Sequence, residues 1–272
     1  MGSCCDAVGK ERRMRRALLL RRDSMGPTYH ILTFEVEQAL LAEAGQFAMV
    51  RGAAWGNAPM LARPMSLLDA GHRPSILIKV VGEGSERMAH ASPGEPFDLL
   101  APLGCGWSDH PPDRSPILVA GGVGVAPLIF LARGLCTRGL RPLALYGART
   151  GADLPLEDDL AKFAAVQLAT DDGSLGTKGR VTDLLEPAIL AKSGKVKVYA
   201  CGPEPMMAVA AEICARLDVP CEVSLETRMA CGYGVCLGCA VHRSSGGYLY
   251  ACVEGPCVDA KQVRWERSSD SR

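Results

Sequence analysis

The chain has 272 residues, 30 Lys and Arg balanced by 30 Asp and Glu, 48% hydrophobic and 22% charged positions, and 12 cysteines. That balance excludes a disordered tail, a nucleic-acid-coating protein and a polybasic membrane adaptor, and the length suits one large or two moderate globular units. No secretory signal is visible, because the basic opening leads only into residues 17–20 before Arg21 and Arg22. A reducing cytoplasm is therefore expected, where clustered cysteines imply metal or redox work.

Residues 1–13 read as a ragged start containing Cys4 and Cys5. The run Arg12-Arg13-Met14-Arg15-Arg16 is either a partner-facing patch or, preferred, a solvated strand edge, since basic edges block unwanted strand pairing. From 14 to 110, β-like runs at 29–36, 46–50, 65–68, 76–81 and 97–100 are separated by Gly, Pro and polar turns, which predicts a small barrel or sandwich. From 111 to 226, strands at 117–120, 143–146, 166–169, 196–200 and 222–225 alternate with helices that include 127–138 and 205–217. This alternation predicts an α/β domain with a parallel sheet. The uncharged stretch 115–132 is interrupted by Pro116, Gly121, Gly122, Gly124 and Pro127, and reads as a buried strand, a turn and a helix start rather than a membrane span. From 227 to 272 regular patterning stops and cysteines take over.

Cys231, Cys236, Cys239 and Cys252 follow the C-x4-C-x2-C spacing with a fourth Cys downstream, the plant-type [2Fe–2S] pattern. Gly232, Gly234 and Gly238 between them let backbone N–H groups approach sulfur. Four thiolates also make a structural zinc site, but zinc ligands usually come as two close couples, whereas three of these share one loop. Cys257 is a rival fourth ligand. Cys252 is preferred because the turn at 244–247 folds the run 248–250 back towards the loop. Cys4, Cys5, Cys105, Cys136, Cys214 and Cys221 read as small apolar residues.

Two segments have a nucleotide-binding texture. The strand 117–120 runs into Gly121-Gly122-Val123-Gly124-Val125-Ala126-Pro127, with Pro127 where a dinucleotide fingerprint has its third Gly, and the strand 196–200 ends in Cys201-Gly202-Pro203-Glu204-Pro205. Ligands of parallel sheets lie at the carboxyl ends of strands, so both are expected to face one crevice. In the β-rich half, Arg63-Pro64-Met65-Ser66, Leu77-Ile78-Lys79 and Gly82-Glu83-Gly84-Ser85 bring Arg, hydroxyl and backbone donors suited to phosphate.

Together, R-P-M-S, G-G-V-G-V-A-P, C-G-P-E-P-M-M and S-L-E-T-R-M-A-C-G-Y-G-V-C-L-G-C resemble, in order, the flavin and iron–sulfur electron-transfer subunits of dihydroorotate dehydrogenase, a branch of the ferredoxin–NADP reductase superfamily. The resemblance covers residues 14–263. It implies a β-barrel FAD domain, an α/β parallel-sheet NAD domain and a C-terminal [2Fe–2S] loop. It also implies FAD contacts at Arg63, Pro64, Met65, Ser66, Leu77, Ile78, Lys79, Gly84 and Ser85. NAD is expected at Gly121, Gly122, Gly124, Cys201, Gly202 and Pro203, and the cluster on Cys231, Cys236, Cys239 and Cys252. Ser85 stands where the family commonly has Thr, and Cys257 where an apolar residue is more usual. No side chain is assigned a catalytic role.

The implied activity is NAD-linked electron transfer in pyrimidine biosynthesis. Electrons from dihydroorotate pass through FMN on a separate catalytic subunit, then the cluster, then FAD, in a heterotetramer of two copies of each chain. The catalytic module would be a (β/α)8 barrel needing ~250 residues of its own, so a partner is required. Arg149 is a weak pointer to a 2′-phosphate against the NAD that the resemblance implies. The alternatives are the corresponding subunit of a ferredoxin–NADP oxidoreductase, sulfide dehydrogenase or hydrogenase, and a zinc-stabilised, non-catalytic binding module. No nucleic acid or membrane partner is expected.

Overall fold

The computed structural model describes residues 12–193 and 195–265, so Cys4 and Cys5 lie outside the described residues. Period-two patterning builds the first half. In β2 (Tyr29–Val36) the alternation places Leu32, Phe34 and Val36 in the barrel core and leaves Glu35 exposed. With β1 (Arg13–Met25), β3 (Phe47–Gly52), β4 (Arg63–Asp69), β5 (Ser75–Lys79) and β6 (Pro96–Leu103) it closes a barrel in the order β1-β2-β5-β4-β3-β6. The short helix α1 (Glu83–His90) lies between β5 and β6. Inside the barrel, Phe34 and Phe97 meet edge to face at 5.3 Å, a geometry in which the ring quadrupoles attract.

The basic run is a solvated strand edge, as preferred. Arg13–Arg16 opens a thirteen-residue strand, and among the described residues these four pair with β6 on one side only. β2 begins to pair only at Ala17, opposite Val36. The arginines are anchored on β6: Arg16 Nε lies 3.2 Å from Asp98 Oδ1, and Arg15 donates to the Ala101 carbonyl.

The second half is a seven-stranded sheet in the order β10-β9-β8-β7-β11-β12-β15. Its strands are β7 (Ser115–Gly121), β8 (Leu143–Ala148), β9 (Ala165–Thr170), β10 (Thr177–Lys178), β11 (Val196–Cys201), β12 (Cys221–Ser224) and β15 (Cys257–Asp259). The helices are α2 (Val125–Thr137), α3 (Glu157–Ala161), α4 (Leu185–Ala191) and α5 (Glu204–Arg216). Residues 117–120 are all buried, as expected of a central parallel strand covered on both faces, and the uncharged stretch is indeed strand, turn and helix. Among the described residues no helix is long and apolar enough to cross a membrane.

Beyond Ser224 the chain is more regular than its sequence suggests. β13 (Ala240–His242) and β14 (Tyr248–Tyr250) form a hairpin, and β15 returns antiparallel to β12 with Ser224 opposite Cys257. The connection from barrel to sheet is pinned by polar groups. Lys197 Nζ lies 2.8 Å from Glu222 Oε1, both side chains being nearly or wholly buried, and donates to Ser108 Oγ at 2.6 Å. The Ser108 N–H donates to Glu222 Oε2 at 3.0 Å, and His110 Nδ1 lies 2.9 Å from the Tyr199 hydroxyl.

Candidate flavin, nucleotide and iron–sulfur sites

The barrel offers an anion cradle at β4 and α1. Arg63 Nη1 donates to the Leu61 carbonyl at 2.6 Å, and its guanidinium crosses so close to Gly84 that a Cβ there would fall 2.5 Å from Nε. The first amides of a helix have no intrahelical acceptor and carry partial positive charge, so Gly84 keeps the N-terminus of α1 open beside a cation. This fits a pyrophosphate. The Ser85 hydroxyl is occupied locally, accepting from the N–H groups of Val81 and Gly82 at 2.9 and 3.1 Å and donating to the Gly82 carbonyl at 2.9 Å. Leu77 and Ile78 bury their side chains in two different cores, which leaves only their backbone for a cofactor.

Pro64 and Ser66 pair directly with Met49 and Phe47 of β3. Directly opposed residues share a face, and here it is the outer face of the barrel, since Phe47 and Met49 pack with the sheet rather than with the barrel interior. Met65 packs towards the interior. Lys79, at the end of β5, lies over the Tyr29 ring and 3.8 Å from Asp153 Oδ1, to which the Tyr29 hydroxyl donates at 2.6 Å. Thr150 Oγ1 donates to the other carboxylate oxygen at 3.1 Å. Asp153 follows β8, so this cluster fastens the sheet to the barrel beside Lys79. The Tyr29 bond leads the effects that hold its carboxyl below the ordinary range. Sequence reasoning gave no sign of Asp153 or Tyr29, because the bond joins positions far apart in the chain.

At the carboxyl ends of β7 and β11 the two glycine-bearing segments meet. A Cβ on Gly121 would fall 2.7 Å from Pro203 Cδ, and one on Gly124 2.3 Å from the Cys201 carbonyl oxygen. These two glycines are required by the packing of one strand end on the other. Gly122 has φ +52 and nothing within 4 Å of its Cβ position, so it alone faces open space; its carbonyl accepts from the Tyr146 hydroxyl at 3.1 Å. Cys201 is buried and its thiol is pushed up by desolvation, then by the nearby Glu226 charge. The same end of the sheet holds two residues of the quoted S-L-E-T-R-M-A-C motif to which the sequence reading assigned no site role: Glu226, whose carboxyl is raised by desolvation, and Thr227, whose buried Oγ1 has no hydrogen-bond partner among the described residues. Arg149 is exposed, and its charge helps to lower Asp153.

The four predicted cluster cysteines come together as two pairs. Cys239 Sγ donates to Cys252 Sγ at 3.1 Å, and the Cys252 N–H reaches Cys239 Sγ at 3.5 Å. Cys231 Sγ accepts from the N–H groups of Cys236 and Tyr233 at 3.4 and 3.5 Å. Desolvation opposes ionisation of Cys231, yet those amides, the Cys236 thiol and the Val235 N–H bring it down to about 6. Cys252 is pushed up to about 12 by desolvation and by Cys239. Two couples are compatible with a two-iron cluster that takes two thiolates for each iron. Among the described residues no three His, Cys, Asp or Glu side chains are gathered closely enough to hold a metal ion.

Cys257 stands apart from these pairs. It is buried on β15, its Sγ donating to the Gly45 carbonyl at 3.7 Å, with Cys201, Glu222 and Cys105 as titratable neighbours. Cys105 also has a definite place, its Sγ 3.2 Å from the Val253 carbonyl, where the end of the barrel meets the cysteine segment.

Comparison with known proteins agrees with this geometry. The family model described as the iron–sulfur cluster binding domain of dihydroorotate dehydrogenase B matches residues 226–264, and the oxidoreductase NAD-binding domain matches residues 118–212. A dihydroorotate dehydrogenase B (NAD(+)) electron transfer subunit from Geobacillus kaustophilus is 39% identical over 231 residues, covering 82% of this chain and 87% of that protein. The chain belongs to the family of dihydroorotate dehydrogenase B (NAD(+)) electron transfer subunits. The family member from Desulforamulus reducens is 38% identical over 251 residues, covering 89% of this chain and 95% of that one. Among solved structures, an NADH-dependent reduced ferredoxin-NADP oxidoreductase aligns with a TM-score of 0.79 at 25% identity, covering 92% of this chain and 90% of its own. The ferredoxin-reductase-like architecture and the cofactor set of FAD, [2Fe–2S] and NAD expected from the sequence are thus borne out for this family member.

Proposed function

We propose that this chain takes electrons derived from dihydroorotate on an FMN-containing catalytic subunit and delivers them to NAD+, serving pyrimidine biosynthesis in a cytoplasmic heterotetramer of two copies of each chain. The reading rests on the two thiol pairs, carried by a segment that packs on the barrel face where Pro64 and Ser66 lie. Cys231 and Cys236 would hold one iron, Cys239 and Cys252 the other. Arg63 and the α1 amides at Gly84 and Ser85 would hold the FAD pyrophosphate, with Pro64, Met65, Ser66, Leu77, Ile78 and Lys79 along the rest of the cofactor. Gly122, Gly202 and Pro203 would receive NAD, while Gly121, Gly124 and Cys201 keep the strand ends packed beneath it. Working units of 14–110 for FAD, 111–226 for NAD and 227–272 for the cluster follow from this division.

When bound, FAD supplies the exchange between two-electron hydride chemistry at nicotinamide and one-electron chemistry at an iron–sulfur centre. Tyr233, Val235 and Leu237 stand exposed on the loop that carries the solvent-facing Cys236, an apolar rim suited to a partner subunit. Co-purification of the complex under anaerobic conditions should give NAD+ reduction by dihydroorotate that requires both chains. A complex that instead couples ferredoxin to a nicotinamide nucleotide would replace this reading with that of a ferredoxin–NADP oxidoreductase, the activity named for the aligned solved structure.

Arg63→Ala tests the cradle. Hydrogen bonds from a charged group are worth ~1.5–3 kcal/mol, so flavin should bind about 10- to 100-fold more weakly, with iron content unchanged. Titration of flavin-stripped protein measures it, and an unchanged Kd removes Arg63 from the site.

A further inference from the structure

The cysteine loop touches the barrel at a place that no assigned role explains. Gly232, immediately after Cys231, has φ +79, and a Cβ built on it would fall 2.5 Å from Met49 Cγ, 3.0 Å from Met49 Sδ and 3.1 Å from Leu103 Cδ1. Gly232 is therefore required twice over, by its left-handed backbone and by the side chains against it. Met49 is buried on the outer face of β3, in the same apolar cluster as Cys239, Cys252 and Leu103. Its direct cross-strand partner on β4 is Pro64. One side chain thus lies between the backbone beside the first cysteine and the strand that carries Arg63, Pro64 and Ser66.

We propose that Met49 is a positioning residue for electron transfer: it seats the cysteine loop on the flavin-binding strand, and the bare Cα of Gly232 fixes how closely the two approach. This rests on the assignment of the cluster to Cys231, Cys236, Cys239 and Cys252 and of the flavin to β4. With both cofactors bound, each transfer would move one electron from the cluster to the flavin, and two such electrons with one proton taken up from solvent would make the hydride that NAD+ accepts. Interiors are close-packed, so an added methyl must push the Met49 side chain aside or lift the loop off the barrel. Met49, unbranched and polarizable, fills the irregular gap between a bent loop and a pleated strand.

The test uses the intact chain with both cofactors. In Gly232→Ala, flavin content and flavin reduction by NADH, which involve the barrel and sheet rather than the cysteine loop, should stay at wild-type levels, and iron content is measured so that the rate is read on cluster-loaded protein. Rapid-mixing absorbance should show electrons crossing between flavin and cluster about tenfold more slowly, ~1.4 kcal/mol of barrier, and the electron paramagnetic resonance signal of the reduced cluster should shift. Adding Met49→Ala to Gly232→Ala makes room for the methyl and should recover part of the tenfold loss, the left-handed backbone at 232 and the missing thioether keeping it below wild type, a coupling that independent sites would not show. A Gly232→Ala protein with both cofactors and an unchanged inter-cofactor rate overturns the proposal, as does a double variant no faster than the single one. If Gly232→Ala fails to hold a cluster, Met49→Ala alone decides: slower transfer with an intact cluster supports the role, and an unchanged rate refutes it. Iron and flavin contents report separately on the cofactor assignment, so failure of that assignment is distinguishable from failure of the positioning role.

Discussion

Cys252→Ser should yield a protein that keeps its flavin and loses its cluster, whereas Cys257→Ala should keep both. The two cysteines are five residues apart, and spacing alone left them as rivals. The structure separates them. The Cys252 thiol is paired with Cys239 at 3.1 Å, while the Cys257 thiol is turned into the core against the Gly45 carbonyl. Losing Cys252 removes one of two thiolates from an iron, and serine is a poor substitute for a soft sulfur donor in an iron–sulfur site. Flavin should survive because Arg63 and the start of α1 belong to the barrel. Iron and acid-labile sulfide assays with the visible spectrum measure the outcome. A Cys252→Ser protein with full iron, or a Cys257→Ala protein without any, would reverse the assignment.

The second large effect is expected far from the cysteines. Lys197→Met should destabilise the chain by ~3–5 kcal/mol, because it leaves the Glu222 carboxylate enclosed with only Ser108 to answer it. For a chain of this size that is about 10 °C in apparent Tm. Replacing both partners together, as Lys197→Met with Glu222→Leu, should recover much of the loss, since the desolvation cost then vanishes with the charges. Thermal unfolding followed by circular dichroism compares the three proteins, and a single variant melting with the wild type would show that the pair contributes nothing.

The contrast between these two regions shows what the sequence could tell. The cluster cysteines were readable because metal ligation fixes both residue type and spacing along one loop. β2 was readable because its inward Leu32, Phe34 and Val36 alternate cleanly. β1 was blurred because Leu18 and Leu20 are exposed among arginines, so apolar letters no longer mark the inner face. Lys197 would be placed on a surface by any pattern rule, and its burial is made tolerable by Glu222 and Ser108, both distant in sequence. The glycines at 121 and 124 looked like phosphate-binding positions, whereas their immediate requirement is contact with residues 201–203, a tertiary demand that a local motif cannot reveal. Asp153 and Met49 were missed for the same reason, since each acts across an interface between separately patterned segments.

The rung that joins Ser224 to Cys257 gives the cysteine region the character of an excursion. The chain leaves the sheet at one rung and re-enters it at the same rung, so its two ends are held together by strand pairing whether or not metal is present. The excursion is nevertheless tied to the end of the barrel, where the Cys105 N–H donates to the Gly255 carbonyl and the Cys105 thiol to the Val253 carbonyl. The redox segment is thus a loop closed at its base by the sheet and covered at its flank by the barrel, with Leu249, Ala251 and Cys252 buried in the same cluster as Met49 and Leu103.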